Sequence, residues 1–221
     1  MKHPPDWRLY LVTDRGLARG RPIAGVVEAA VRGGVTAVQL REKSCLTSDF
    51  VQLGRELMKL LAPLQVPLIV NDRVDIALEI GADGVHIGQQ DMDSERARRL
   101  LGPDAIIGLS IETIEQARAA VSLDVDYLGV GPVFATATKI DAAPPLGLAA
   151  LAQVRATSRH RVVAIGGIGL ENARQAIDSG ADGVAVVSAI CAADDPERAA
   201  RELRQSIDAA LQTRRERHTP N

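Results

Sequence analysis

Short apolar runs alternate with longer stretches of a different rhythm along nearly the whole chain. Runs such as Leu9-Tyr10-Leu11-Val12 and Leu68-Ile69-Val70 read as strands of a parallel sheet, since a strand covered on both faces is apolar at successive positions. Between such runs the apolar residues recur every three or four positions, as in Phe50, Leu53, Leu57 and Leu60/Leu61, which is the spacing of one helix face. The alternation predicts strands over residues 8–13, 35–40, 67–70, 84–87, 105–109, 127–130, 161–165 and 183–187. It predicts helices over residues 22–32, 47–61, 74–80, 94–101, 113–121, 148–157, 170–179 and 196–211. Pro22 suits a helix's first turn, and Gly33-Gly34 and Gly81 suit helix ends.

Roughly eight strand–helix units in a chain of 221 residues predict an α/β fold, a single-domain (β/α)8 TIM barrel over residues 1–212. The polar, basic residues 213–221 are expected to form a disordered tail. An internal echo supports repeated units: Gly81-Ala82-Asp83-Gly84-Val85 recurs as Gly180-Ala181-Asp182-Gly183-Val184. The other architecture to weigh is an open doubly wound sheet. The barrel is preferred because no GxGxxG follows the first strand and the units are short and even.

Composition narrows the function. A hydrophobic share of 46% with only 2% aromatics implies a large aliphatic core. A net charge of −2 carries no electrostatic footprint for nucleic acid. Cys45 and Cys191 form no CxxC pair or zinc spacing and fit a reducing, cytoplasmic setting. The first residues lack a signal-like apolar region, and no run reaches membrane-spanning length. Homo-oligomerisation is left open.

In a TIM barrel the C-terminal strand ends share one face, and that face carries the active site. Here those ends supply Gln39, Arg41, Lys43, Asn71, Asp72, Asp91, Ser110, Thr136, Thr138, Lys139, Gly166, Gly167 and Ser188. An ordinary surface loop accounts for any one of them, but poorly for the set. Asp72 could be a helix cap and Asp91 a turn residue. Together, following adjacent strands, they suit Mg²⁺ bound to a phosphorylated ligand. Arg41, Lys43 and Lys139 suit a pyrophosphate that gains charge as it leaves, with the intervening Glu42 turned toward a structural partner. Gly166-Gly167 and Val187-Ser188 suggest a second anion site after the seventh and eighth strands. His86, inside an apolar strand, reads as a hydrogen-bonded core residue, and no Ser–His–Asp or Cys–His arrangement is evident.

These residues resemble the thiamine-phosphate synthase family. The matching pieces are Leu9-Tyr10-Leu11-Val12-Thr13-Asp14, Gln39-Leu40-Arg41-Glu42-Lys43, Asn71-Asp72, His86-Ile87-Gly88-Gln89 with Asp91, Gly131-Pro132 with Thr136-Ala137-Thr138-Lys139, Ile165-Gly166-Gly167-Ile168 and Val187-Ser188-Ala189-Ile190. The resemblance implies a transferase that joins an aminopyrimidine methyl diphosphate to a thiazole phosphate, releasing pyrophosphate and leaving thiamine monophosphate. It implies that Gln39, Leu40, Arg41, Glu42, Lys43, Asn71, Ser110 and Lys139 contact the aminopyrimidine diphosphate. It implies Asp72 and Asp91 as Mg²⁺ ligands, and Thr136, Ala137, Thr138, Gly167, Val187 and Ser188 as contacts to the thiazole phosphate. Arg41, Lys43, Ser110 and Lys139 would carry the catalysis. Arg73, Met92-Asp93 and Ala149 depart from the family's usual pattern but displace no contact residue. A related thiazole tautomerase would need a histidine two places after Ser110, where this chain has Glu112.

Overall fold

The computed structural model describes residues 5–138 and 143–218. Eight strands form a closed parallel barrel in chain order: β1 Leu9–Val12, β2 Ala37–Leu40, β3 Leu68–Asn71, β4 Gly84–Ile87, β5 Ile106–Ile111, β6 Tyr127–Val130, β7 Arg161–Ile165 and β8 Gly183–Val186. β8 pairs with β1 and closes the ring. The helices around it are α1 Ile23–Arg32, α2 Thr47–Leu61, α3 Val74–Ile80, α4 Ser94–Leu101, α5 Ile114–Ala120, α6 Gly147–Thr157, α7 Ala173–Asp178, α8 Ser188–Cys191 and α9 Pro196–His218. The expected (β/α)8 barrel is therefore the observed fold.

The strands' two-residue period separates two cores. Leu9, Leu11, Val38, Leu40, Leu68, Val70, Val85 and Ile87 point outward under the helices. Tyr10, Val12, Ala37, Ile69, Ile106, Tyr127, Val163 and Ala185 point inward with Trp7 and fill the barrel. The helices bury one face each: α2 buries Phe50, Val51, Gly54, Leu57 and Leu61.

The internal echo has a structural cause at the opposite face from the mouth. Asp83 accepts the Leu68 N–H at 3.0 Å, and Asp182 accepts the Val162 N–H at 2.8 Å, each fixing the start of the preceding strand. The glycines after them, Gly84 and Gly183, lie against the backbone of the next strand, where a Cβ would collide with the carbonyls of Ile106 and Trp7.

Several bounds shift by a residue or two and the short α8 is additional to the expected helices; three changes have a visible cause. β5 runs on through Ser110 to Ile111, because Ser110 pairs with Gly129 inside the sheet. α7 starts at Ala173, since Asn172 holds the preceding residues in a turn: its side chain accepts the Gly169 N–H and donates to the Gly167 carbonyl, both at 2.8 Å. The tail expected from residue 213 is helical through His218. Its anchor is Arg214, whose guanidinium donates to the carbonyls of Ile177 and Ala181 at 2.9 and 2.7 Å.

Candidate active site

The residues after β2 divide their side chains between the mouth and the scaffold. Leu40 points into the outer core and pairs with Val70 of β3. The Arg41 N–H donates to buried Thr13 Oγ1 at 3.0 Å, and its guanidinium donates to Asp14 at 3.3 Å. Glu42 turns away, as its place between Arg41 and Lys43 predicts, and Arg15 clamps it with bonds of 2.9 and 3.1 Å. Lys43 Nζ lies 2.7 Å from Asp72 Oδ2.

Asn71 ends β3 and donates its amide to the other Asp72 oxygen. Asp72 has φ 60°, a left-handed conformation that Asp and Asn tolerate better than most residues. It does not cap α3: Arg73 holds the N-cap position, and no side chain caps that helix. Asp91 does serve a turn, accepting the Gly88 N–H at 2.7 Å. It also faces Asp72. Desolvation, and then the Asp72 carboxylate, hold the Asp91 carboxyl above the ordinary carboxylate range, against the pull of the Gly88 N–H and Lys43. Two hard oxygen ligands side by side suit a divalent cation completed by phosphate and water oxygens. Among the described residues no group of three or more His, Cys, Asp or Glu side chains gathers to hold a metal without such help.

The floor of the mouth is a line of buried polar groups. Gln39 donates its amide to Tyr10 OH at 3.0 Å. Tyr10 OH lies 2.9 Å from Tyr127 OH, which lies 2.8 Å from His86 Nδ1. His86 Nε2 lies 2.9 Å from Ser110 Oγ. Burial pushes the imidazole pKa down to about 4, with the Asp72 charge opposing it. His86 is thus the hydrogen-bonded core histidine expected, and neutral. The sequence alone gives Tyr10 and Tyr127 no role, yet a signal is present: they are the chain's two tyrosines, and each lies beside an outward-facing leucine. Thr13 and Asp14, which hold Arg41, also went unassigned.

Across the mouth, a cleft of about 640 Å³ brings together Thr136, Ala137, Thr138, Gly167 and Ser188. Val187 stands at its edge, against the inner core. The cleft offers hydroxyl and main-chain N–H donors. Its described lining includes Glu171 and Glu202 and no Lys or Arg. Gly167 is glycine for a reason within the protein: its φ is +64°, and a Cβ would collide with the Ala135 carbonyl and Phe134. Lys139 lies outside the described residues. A larger groove of about 890 Å³ runs along α2 and α3 on the barrel's outside and contains no strand-end residue.

A family model described as thiamine monophosphate synthase matches residues 9–190. The chain belongs to the thiamine monophosphate synthase family. Curated relatives agree: a thiamine-phosphate synthase of Albidiferax ferrireducens is 57% identical over 91% of this chain and 92% of its own length. One from Chloroflexus aurantiacus is 53% identical over 93% and 94%. A solved thiamine phosphate pyrophosphorylase from Pyrococcus furiosus superposes with a TM-score of 0.87 at 39% identity, covering 94% of this chain and 98% of that one. A 3-hexulose-6-phosphate synthase structure, at 18% identity and a TM-score of 0.67, shares the fold alone. Membership in the thiamine monophosphate synthase family makes this chain a transferase of thiamine biosynthesis. Among the described residues no helix is long and apolar enough to cross a membrane.

Proposed function

We propose that the barrel mouth joins the diphosphate of 4-amino-2-methyl-5-hydroxymethylpyrimidine to a thiazole phosphate across two adjoining sub-sites, forming thiamine monophosphate and releasing pyrophosphate. What carries this reading is the gathering of Arg41, Lys43, Asn71, Asp72 and Asp91 on one side of a single mouth whose other side holds Thr136, Thr138, Gly167 and Ser188. The first group would hold the aminopyrimidine diphosphate together with Gln39, Ser110 and Lys139, and the second the thiazole phosphate.

The chemistry asks for little proton transfer. The electron-rich aminopyrimidine stabilises positive charge on its methylene carbon as pyrophosphate departs, and the thiazole nitrogen attacks with a lone pair it already has. The protein's part is to orient the two ligands and to offset charge on the leaving group. Arg41, held by Thr13 and Asp14, keeps its place without the ligand. Lys43, paired with Asp72, would share itself with an incoming diphosphate. Asp72 and Asp91 would hold Mg²⁺, which when bound supplies positive charge beside the pyrophosphate. His86, neutral and engaged at both nitrogens, is left a positioning role rather than that of a base, in keeping with a reaction that needs none. A cytoplasmic location belongs to the same reading and is supported by the two unpaired cysteines.

The test is product formation from both substrates, with Mg²⁺ and after rigorous metal removal. Thiamine monophosphate and pyrophosphate should appear in equal amounts, and turnover should fall roughly a hundredfold without metal. Asp72→Asn and Asp91→Asn should blunt the response to added Mg²⁺. Undiminished turnover in metal-free protein would dismiss the metal assignment. No product in the presence of metal would dismiss the reaction.

A further inference from the structure

The line of polar groups on the barrel floor has a direction. Gln39 Nε2 carries protons and no lone pair to offer, so at its 3.0 Å contact Tyr10 OH accepts. Among the described residues Tyr10 OH touches only Gln39 and Tyr127, so its single proton is paired only by donation to Tyr127, at 2.9 Å. The single Tyr127 proton is left for His86 Nδ1, at 2.8 Å, which must be the bare ring nitrogen. The imidazole proton therefore sits on Nε2 and is donated to Ser110 Oγ, at 2.9 Å. Ser110's own proton takes no part in the line. Its hydroxyl accepts from inside the protein and keeps its proton for a donor bond toward the mouth.

Two strand glycines show that the arrangement is built in. A Cβ at Gly108 would collide with the Tyr127 ring and with His86 Nδ1, and one at Gly129 would lie 2.8 Å from His86 Cε1. The register sets His86, Gly108 and Tyr127 side by side across β4, β5 and β6. Glycine weakens a strand interior, and here it makes room for this ring pair. The two tyrosines are fully buried, and no buried side-chain N or O among the described residues lacks a partner.

We propose that Gln39, Tyr10, Tyr127, His86 and Ser110 form a one-way hydrogen-bond chain that presents Ser110 as a donor and Gln39 Oε1 as an acceptor to the aminopyrimidine. The ligand part rests on the function proposed above. The chain itself does not. Tyr10, Tyr127 and His86 are positioning residues, acting through the two groups at the ends. An aminopyrimidine displays an exocyclic amine donor beside ring-nitrogen acceptors, so a mouth with one fixed acceptor and one fixed donor accepts the ring in one orientation. Burial raises both phenols, which keeps their protons in place.

The tautomer of His86 decides the matter, and it can be read in the unliganded protein. In [¹⁵N]histidine-labelled protein, long-range ¹H–¹⁵N correlations distinguish a bare ring nitrogen from a protonated one, and the His86 signals are assigned by their loss in His86→Gln. The expected form is Nδ1 bare and Nε2 protonated. The opposite tautomer would overturn the proposal while leaving the synthase reading untouched. Tyr127→Phe removes the proton that points at Nδ1 and keeps the ring. It should let the two tautomers mix, and should raise KM for the aminopyrimidine diphosphate roughly fivefold without changing that for the thiazole phosphate. A Tyr127→Phe protein with His86 still in the wild-type tautomer and an unchanged KM would show that the line fixes nothing. Should the wild-type protein make no thiamine monophosphate, the tautomer measurement still stands, so the two failures are distinguishable.

Discussion

The His86 ring lies between Tyr127 and Ser110 and is 9% exposed. A charged imidazole there would lose its hydration and would turn a donor toward the Tyr127 proton. The pKa therefore drops from 6.5 to about 4. The unfolded chain binds this proton below pH 6.5 and the folded protein does not until about pH 4. The stability that comes with a neutral His86 is whole above 6.5 and is lost as the pH falls from there through about 4. At most about 3 kcal/mol is at stake. Urea unfolding between pH 4 and 7 should show this loss in the wild type, with the corresponding slope missing in His86→Gln. Parallel pH dependences would mean that His86 titrates normally. Asp72 makes a related point. Taken alone it could be a helix cap; its place at a strand end puts it at the mouth, and its contacts with Lys43, Asn71 and Asp91 rule the cap out.

The exit of β7 and the loop after β6 act as one piece. The N–H groups of Val133 and Phe134 donate to the carbonyls of Ile165 and Gly166, at 2.8 and 3.0 Å. Gly167 fits beneath Phe134 and Ala135 with no space for a side chain. Gly167→Ala should therefore do two things: cost about 1–3 kcal/mol of stability through its positive φ and the collision, and raise KM for the thiazole phosphate. Such a variant cannot separate packing from binding. Ser188→Ala can, because Ser188 is exposed on the cleft wall and its loss should change stability by less than about 0.5 kcal/mol. The same KM should rise several-fold in Ser188→Ala. An unchanged KM there, in a stable protein, would remove the second sub-site.

α9 ties the two ends of the barrel together. Arg204 donates to the Gly34 carbonyl at 2.9 Å, and Asp208 accepts from Arg8 at 3.0 Å, so one helix grips the first unit. Arg214 grips the carbonyls at the end of α7 and just after it, in the seventh unit. Removing residues 213–221 should cost about 1 kcal/mol and lower the melting temperature by about 2–4 °C, with catalysis intact. A melting temperature equal to the full chain's would mean that this last stretch is held by nothing beyond itself.

The order and kind of the elements were legible in the sequence because each depends on a local rhythm: α2, α3, α4, β4, β6 and β7 keep the bounds that their apolar spacing predicts. The strand ends were legible for the same reason, and with them Arg41, Lys43, Asn71, Asp72, Asp91 and Ser110. Three things were decided by the closed sheet. The parity that turns Leu40 outward and Tyr10 inward follows from the pleat, but which face becomes the barrel's inside follows from closure of β8 on β1. The Gln39-to-Ser110 line joins five strands that are far apart in the chain, and no spacing along the sequence encodes it. The helical run of residues 213–218 looked like a tail because its composition is polar, and it is held by carbonyls that only the folded barrel presents to Arg214. Local periodicity specifies elements, and contacts between elements specify which polar groups are paired, buried and left facing a ligand.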